Sequence, residues 1–496
     1  MKQNVVLKTN PPKIRTVNNR LIAYNIEMTE VTGGTFWKAY TPAQIEGTEP
    51  FPEISDWKNM NNLQQYYGPV DLYDPVLRRR AGDIGPAWVR VSGTWANKTY
   101  YDFDGHTGGV VPEGFQNLLT REQWVGVLDF VRDIGGKLLV SVANCPGIHS
   151  ASEPWTPEQA KLLFDFNRDY GVPISAAEFT NEPTMMSFSG LPEGYTAAGY
   201  ARDQDLFGAW LKKNYPECLF VGPCSVGDID MVMGGNLGGR IASNMGIITT
   251  ETLLEHTTMQ PDVFSYHYYN GVSERGAAIG GHWPEEECLS ENYLKVAADC
   301  ARQYAERRDR FAPGGQLWVT ESGDAGCGGN TWASTYLDVP RTLNEIGEFC
   351  KVSDGVIFHN TLASSDYGYL QHGTFEPRPA FYAVLLWKRL MGDIVYDSGE
   401  PIREGAHVFA HSRADGKDGA VWLIINNSRE STSVVLPEQA VRYTLTGDGK
   451  MRSRTMQLNG KPLSLQADGS LPELEGTTQG AGVVEVPAGS CVFLVL

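Results

Sequence analysis

Short runs dense in β-branched and aromatic residues alternate along most of the chain with longer amphipathic stretches. Eight such runs read as strands: Leu21–Met28, Ala87–Gly93, Lys137–Asn144, Ile174–Asn181, Leu219–Cys224, Val263–Tyr269, Gln316–Ser322 and Asp354–Leu362. The stretches between them read as helices. Thr120-Arg121-Glu122-Gln123 opens one with a capping-box pattern, and Trp124, Val127, Leu128 and Val131 follow at helical spacing. Thr156-Pro157-Glu158 opens another, with proline at the first helical position, and two more run over Ala198–Asn214 and Glu291–Arg308. Strand and helix alternating eight times predict an α/β fold of the (β/α)8 barrel kind in preference to an open doubly wound sheet. The run ends support the closed form. They finish in Glu27, Ser92-Gly93-Thr94, Asn144, Asn181-Glu182, His267-Tyr268-Tyr269, Glu321-Ser322 and Asn360-Thr361. Barrel enzymes build their active sites at these C-terminal strand ends.

From about residue 395 the helical patterns stop. Short alternating runs take over, among them His407–His411, Ala420–Ile425, Ser433–Leu436, Arg442–Leu445, Val483–Val486 and Ser490–Leu496, with turn signals such as Asn459-Gly460. They predict a C-terminal antiparallel β-sandwich. The division expected is a catalytic barrel over 13–394 and a sandwich over 395–496, with the N-terminal segment 1–12 adding Val5-Val6-Leu7 to the sandwich as a further strand. The length of 496 residues accommodates both units.

A net charge of −18 argues against nucleic acid as a partner and against a highly sulfated polyanion as main substrate. Arg78-Arg79-Arg80 reads as a solvated helix face. The eight cysteines show neither C-x-x-C pairs nor metal-ligand spacing; Cys288 and Cys300 could pair in an oxidising compartment. No apolar run reaches membrane-span length, so no membrane is expected as a partner. The opening residues contain no signal-peptide pattern, which reads as cytoplasmic unless a leader has been removed.

Two carboxylates carry the chemistry. Glu178-Phe179-Thr180-Asn181-Glu182-Pro183 ends the fourth run, and Leu317-Trp318-Val319-Thr320-Glu321-Ser322-Gly323 ends the seventh. One Glu at a strand end is unremarkable on its own. On the fourth and seventh strands of a closed barrel, two would face each other across the mouth. Glycosidic hydrolysis needs such a pair: an acid to protonate the leaving oxygen, and a carboxylate that attacks the sugar if the two lie about 5 Å apart. Glu182 is the expected general acid/base and Glu321 the expected nucleophile, with Asn181 bonding a sugar hydroxyl. Glu178 and Arg90 are expected to pair inside the barrel and support that layer.

Asn-Glu-Pro after the fourth strand and Glu after the seventh resemble clan A of the glycoside hydrolases. Further stretches resemble glycoside hydrolase family 79, the β-glucuronidase and heparanase family: Pro86–Thr94, Leu219–Pro223, Tyr266-His267-Tyr268-Tyr269-Asn270-Gly271, Glu321–Gly329 and Phe375–Pro379. The resemblance spans roughly residues 20 to 395. It implies that Glu27 and Thr94 bind sugar hydroxyls and that Tyr268 hydrogen-bonds the nucleophile. It also implies that backbone N–H groups of the glycine-rich loop, Gly328 and Gly329 among them, hold a glucuronate carboxylate with help from Tyr367, Tyr369 being the alternative. Cys327 and Gly326 depart from the glycine and tyrosine of the family's heparanases, and no basic clusters mark the strand-end loops.

The function expected is a retaining exo-β-glucuronidase that releases terminal β-linked glucuronic acid from a carbohydrate or glucuronide conjugate, with no cofactor and no metal. An endo-acting heparanase-like enzyme, another clan A β-glycosidase and a non-catalytic carbohydrate-binding barrel are the alternatives. His149 and His282 lack partners at metal spacing. Trp95, Trp283 and Trp332 read equally as sugar platforms or packing residues. Asn97-Lys98-Thr99 is a glycosylation sequon, relevant only in a secreted chain.

Overall fold

The computed structural model describes residues 4–51, 62–226, 228 and 247–496, with the backbone alone at 278 and 279. Eight parallel strands close into a barrel in chain order: β1 (Ile22–Glu27), β2 (Trp88–Ser92), β3 (Lys137–Ser141), β4 (Ala176–Glu178), β5 (Leu219–Val226), β6 (Val263–Tyr269), β7 (Gln316–Gly323) and β8 (Ile357–His359). Each lies within one of the runs expected from the sequence, apart from one- or two-residue extensions of β5 and β7. The helices follow the same pattern. Arg121–Asp133 starts from a complete Thr120/Gln123 capping box, whereas Glu158–Tyr170 starts one residue late, with Pro157 at the cap.

The barrel interior is filled from below. Ala23, Trp88, Leu139, Ala176, Val221, Val263, Trp318 and Phe358, one from each strand, form a buried apolar plug in which Trp88 and Trp318 meet edge-on at 5.0 Å. Side chains alternate in and out along a strand, so Arg90 and Ser92 follow Trp88 inward, as Glu178 follows Ala176. The apolar plug thereby becomes the floor of a polar chamber.

The antiparallel part has two sheets. The smaller is formed by Val5–Val6, Thr432–Leu436 and Gly482–Val486, with Val5–Val6 running parallel to Thr432–Leu436. The larger has nine strands, and it includes Lys13–Thr16, inside the span expected for the barrel, and Met391–Tyr396, which straddles the division expected at 394/395. Val5, Val408, Trp422, Ile424, Val434 and Leu494 pack between the sheets. The other face of the larger sheet, including Phe409, Leu423 and Phe493, belongs to the barrel's own core, which explains why Ala420–Ile425 is buried throughout instead of alternating. Helix Val339–Val352 lies at this junction, and a Cβ at Gly347 would come within 2.5 Å of the Phe409 ring.

Arg78-Arg79-Arg80 is only in part the solvated face expected: Arg79 is exposed and Arg78 partly so, but Arg80 is not. Arg80 is 1% exposed and donates to Asp83 and to the Gly469 carbonyl, so it ties the helix Pro75–Asp83 to the sandwich domain. All eight cysteines are free thiols, Cys288 and Cys300 included. Among the described residues, no helix is long and apolar enough to cross a membrane.

Candidate active site

Arg90 stands at the centre of the chamber above the plug. Its Nε donates to both Glu178 oxygens at 3.1 Å, Nη1 to Glu321 Oε2 at 3.2 Å, and Nη2 to Asn181 Oδ1 at 2.7 Å. The expected Glu178–Arg90 pair is present and fully buried. Arg90 does more than expected, because it also reaches Glu321. A buried charge is tolerated only when paired and hydrogen-bonded, and Arg90 meets both conditions with two carboxylates.

Glu321 owes its orientation to a β-bulge. Tyr266 pairs with Val319 and His267 with Glu321, which leaves Thr320 as the extra residue on β7. Simple alternation from the inward Trp318 would send Glu321 outward; the bulge turns it into the barrel. There Oε1 accepts from the Tyr269 hydroxyl at 2.6 Å and from Asn360 Nδ2 at 3.3 Å, while Oε2 faces Arg90.

The tyrosine on Glu321 is therefore Tyr269 and not the Tyr268 expected. Strand alternation is the reason: Val263, Ser265, His267 and Tyr269 face inward, and Tyr268 faces the surrounding helices, where its hydroxyl donates to Asn270 Oδ1. Its neighbour Tyr266 likewise stacks on Tyr304 of helix Glu291–Phe311 at 4.1 Å.

Glu182 sits just beyond β4 with φ +48°, a left-handed conformation that costs a non-glycine residue roughly 1–2 kcal/mol. The surroundings hold it there. Asn97 accepts from the Asn181 N–H at 2.8 Å and donates to the Asn181 and Ser189 carbonyls, both at 2.9 Å. Ser189 Oγ binds the Glu182 carbonyl at 2.6 Å. Asn97 is completely buried, so the sequon marks a clamp on the Glu182 loop, a role that no motif signals.

His267 lies between the two glutamates. Its Nε2 can only accept from the always-protonated Arg90, at 3.3 Å, so Nδ1 carries the hydrogen and donates to Glu182 Oε1 at 2.9 Å, with Glu321 Oε2 at 3.5 Å. Burial pushes His267 down to about 4, which keeps it neutral. Burial pushes Glu182 up to about 7, opposed by the Arg90 charge. With Oε1 occupied as an acceptor, the Glu182 proton is placed on Oε2. A carboxylate oxygen of Glu182, a ring nitrogen of His267 and a carboxylate oxygen of Glu321 all lie within 4.8 Å of one another. The Glu182 and Glu321 side chains are 14% and 9% exposed.

The remaining expected residues surround this pair. Asn181 presents Oδ1 to Arg90, and its Nδ2 donates to no described residue. Glu27 is buried, and its carboxyl is pushed well above the usual range by burial and then by the Glu321 charge. It presses on Gly93, where a Cβ would come within 1.6 Å of Glu27 Oε2. Thr94 follows Gly93 on the partly exposed rim. Tyr367 accepts from Asn360 Nδ2 at 3.1 Å, the same amide that reaches Tyr269 and Glu321. Tyr369 instead stacks on His359 at 3.8 Å, away from this group.

Residues 326–329 form a turn whose carbonyls all face into the protein. Gly326 is bound by Ser273 N–H, Cys327 by Ser273 Oγ and Arg275 Nη1, Gly328 by Ser365 Oγ, and Gly329 by the Tyr40 hydroxyl. In a planar trans peptide the N–H points opposite to the C=O. Among the described residues none accepts from the N–H of Cys327, Gly328 or Gly329. Positive φ at all three, +63°, +87° and +84°, makes this backbone a nest of donors suited to an anion.

The other sequence candidates are structural. His149 bonds Asn144 and the Ser150 and Glu153 carbonyls; His282 faces the Val272 carbonyl, Trp283 bonds the Asn270 carbonyl and Trp332 is buried. Trp95 is partly exposed, bonded to the Thr35 carbonyl and covered by Lys98 Nζ at 4.3 Å.

No family model matches the chain. Baicalin-β-D-glucuronidase of Scutellaria baicalensis is 30% identical over 446 residues, 82% of this chain and 79% of the relative. Heparanase-like protein 1 of Arabidopsis thaliana is 24% identical over 464 residues, 82% of this chain and 81% of the relative. A solved 4-O-α-L-rhamnosyl-β-D-glucuronidase of Fusarium oxysporum covers 99% of this chain with a TM-score of 0.65 at 11% identity, a likeness of fold alone. With its eight-stranded barrel and relatives matched over 79% and 81% of their length, the chain is a glycoside hydrolase and belongs to glycoside hydrolase family 79, the β-glucuronidase and heparanase family.

Proposed function

We propose that the chain is a retaining exo-β-glucuronidase acting on terminal β-linked glucuronic acid. The observation that carries this reading is the approach of the Glu182 and Glu321 carboxyls to within 4.8 Å. Inverting enzymes hold their carboxyls roughly 6.5–9.5 Å apart to leave room for a water, whereas retaining ones need about 5 Å. Glu182 Oε2 protonates the leaving oxygen while Glu321 attacks the anomeric carbon and forms a glycosyl ester. Glu182, now a carboxylate, takes a proton from the water that cleaves that ester. No step calls for a cofactor.

The glucuronate preference rests on the donor turn at 327–329 with Tyr367 beside it, where an anionic C5 substituent finds N–H groups free to donate. The 30% identical baicalin-β-D-glucuronidase accords with it. The exo mode draws on charge. Arg90 and Arg275 are buried and spent on carboxylates, and Lys98 lies on Trp95, which leaves these cations poorly placed to grip a sulfated polymer. A screen of 4-nitrophenyl glycosides, with the first-formed anomer read by NMR, tests all three parts. Glucuronide should be cleaved fastest, with β-glucuronic acid as the first product. Faster cleavage of glucoside or xyloside, first release of the α-anomer, or depolymerisation of heparan sulfate would each overturn one part.

A further inference from the structure

Arg275 is buried at 2% exposure behind the donor turn, and no motif in the sequence singles it out. Its Nη1 donates to the Cys327 carbonyl at 3.2 Å, and its Nη2 to Asp366 Oδ2 at 3.1 Å and to the Lys38 carbonyl. The guanidinium carbon lies over the Tyr40 ring, 3.9 Å from its centre, and Tyr40 in turn holds the Gly329 carbonyl. One side chain thus joins three separate loops: the segment before Tyr40, the turn itself and the segment after β8. A planar fork of donors can do this, and a lysine ammonium cannot match its geometry. The approach is close enough that a Cβ at Gly328 would come within 2.2 Å of Nη1.

We propose that Arg275 is the positioning residue that makes this turn select an anionic C5 substituent. It draws the Cys327 carbonyl back, which aims the Gly328 N–H of the same peptide toward the cleft, and it places a buried positive charge one peptide unit behind that donor. The inference rests on the glucuronidase reading and extends it to the source of the selectivity. The charge is felt on both sides of the turn: burial raises the Cys327 thiol and the Tyr367 phenol, and the Arg275 charge opposes the rise at each. Asp366 offsets part of that charge, so the pair sets how strongly the turn favours a carboxylate.

The test compares three 4-nitrophenyl β-glycosides that differ only at C5: glucuronide, glucuronamide and glucoside. kcat and KM are measured for wild type, Arg275→Gln, Arg275→Lys and Asp366→Asn, with thermal melts as a control on folding. Arg275→Gln should raise KM for the glucuronide about 30-fold while leaving kcat, and both constants for the neutral substrates, within about 3-fold. Arg275→Lys should recover part of the loss, and Asp366→Asn should lower the glucuronide KM. An equal loss on all three substrates, or an unchanged glucuronide preference in the variants, would overturn the role of Arg275 and leave the glucuronidase reading standing. A wild type that does not prefer the glucuronide would instead overturn that reading, and this proposal with it. Should the Gln variant fail to fold, the other two decide: selectivity unmoved in both overturns the proposal.

Discussion

The clearest test of the proposed mechanism is the proton on Glu182. Burial raises this carboxyl from 4.5 to about 7. A general acid must hold its proton when the leaving oxygen departs. A group titrating near 7 is about nine-tenths protonated at about pH 6 and about one-tenth at about pH 8. An unshifted carboxyl would be only about 3% protonated at about pH 6, so burial is worth a factor of about 30 in competent enzyme there. The direction follows: kcat/KM should fall as pH rises through about 7. The Gln variant should lose that fall, because nothing remains at the position to titrate. With 4-nitrophenyl or alkyl glucuronides, Glu182→Gln should lower kcat/KM by about 1,000-fold, within the usual range for general acid catalysis. With a 2,4-dinitrophenyl leaving group, which departs without a proton, kcat/KM should stay within about 10-fold of wild type. Stopped-flow and steady-state rates between about pH 4 and 9 supply both comparisons. An alkaline limb near 5 in the wild type, or a limb near 7 that survives in Glu182→Gln, would refute the reasoning.

Tyr269→Phe removes a 2.6 Å bond to Glu321 and should cost about 1.5–3 kcal/mol in kcat/KM, whereas Tyr268→Phe should leave kcat/KM nearly unchanged; the reverse order in steady-state assays would contradict the site. Gly93→Ala drives a methyl into Glu27 Oε2 and should abolish glucuronide turnover, with a calorimetric melt to show that the fold persists. Asn97→Ala releases the backbone around the left-handed Glu182 and should lower stability by about 2–4 kcal/mol in urea titrations and kcat by at least about 10-fold; a stability loss with full activity would show that Glu182 holds its own geometry. Because the Glu182 carboxyl titrates higher in the fold than in the open chain, its stabilising contribution is full below about 4.5 and lost as pH rises through about 7. Glu182→Gln should therefore melt like wild type at about pH 4 and gain up to about 3 kcal/mol at about pH 8, checked by melts at both; a pH-independent difference would disprove the linkage.

Much of this architecture was legible because period and punctuation are local. The eight strands and the position of Glu182 and Glu321 at the rim follow from apolar runs that end abruptly in polar residues. Tyr269 was legible in principle: once His267 faces inward, alternation selects the residue two further on, and family likeness pointed one residue too early. The orientation of Glu321 was not legible, since a bulge at Thr320 depends on how two strands register in space. Nor were Asn97 and Arg275, whose partners lie far along the chain and whose residue types are common in loops. Lys13–Thr16 carries no hydrophobic alternation strong enough to announce a sheet edge, so its pairing with Met391–Tyr396 appears only once the fold is assembled.

That pairing has a consequence for how the molecule is put together. Val5 lies beside Val434 and Arg15 beside Val395, so the barrel is an insert within the sandwich and not a neighbour in series with it. During synthesis the earliest strands emerge with no mates and must wait until the whole barrel sequence has followed. The sandwich works as a clasp whose two sides come from either end of the barrel sequence. Severing the chain near residue 395 should yield no independent halves, because the C-terminal piece would present open sheet edges to whatever strand came near.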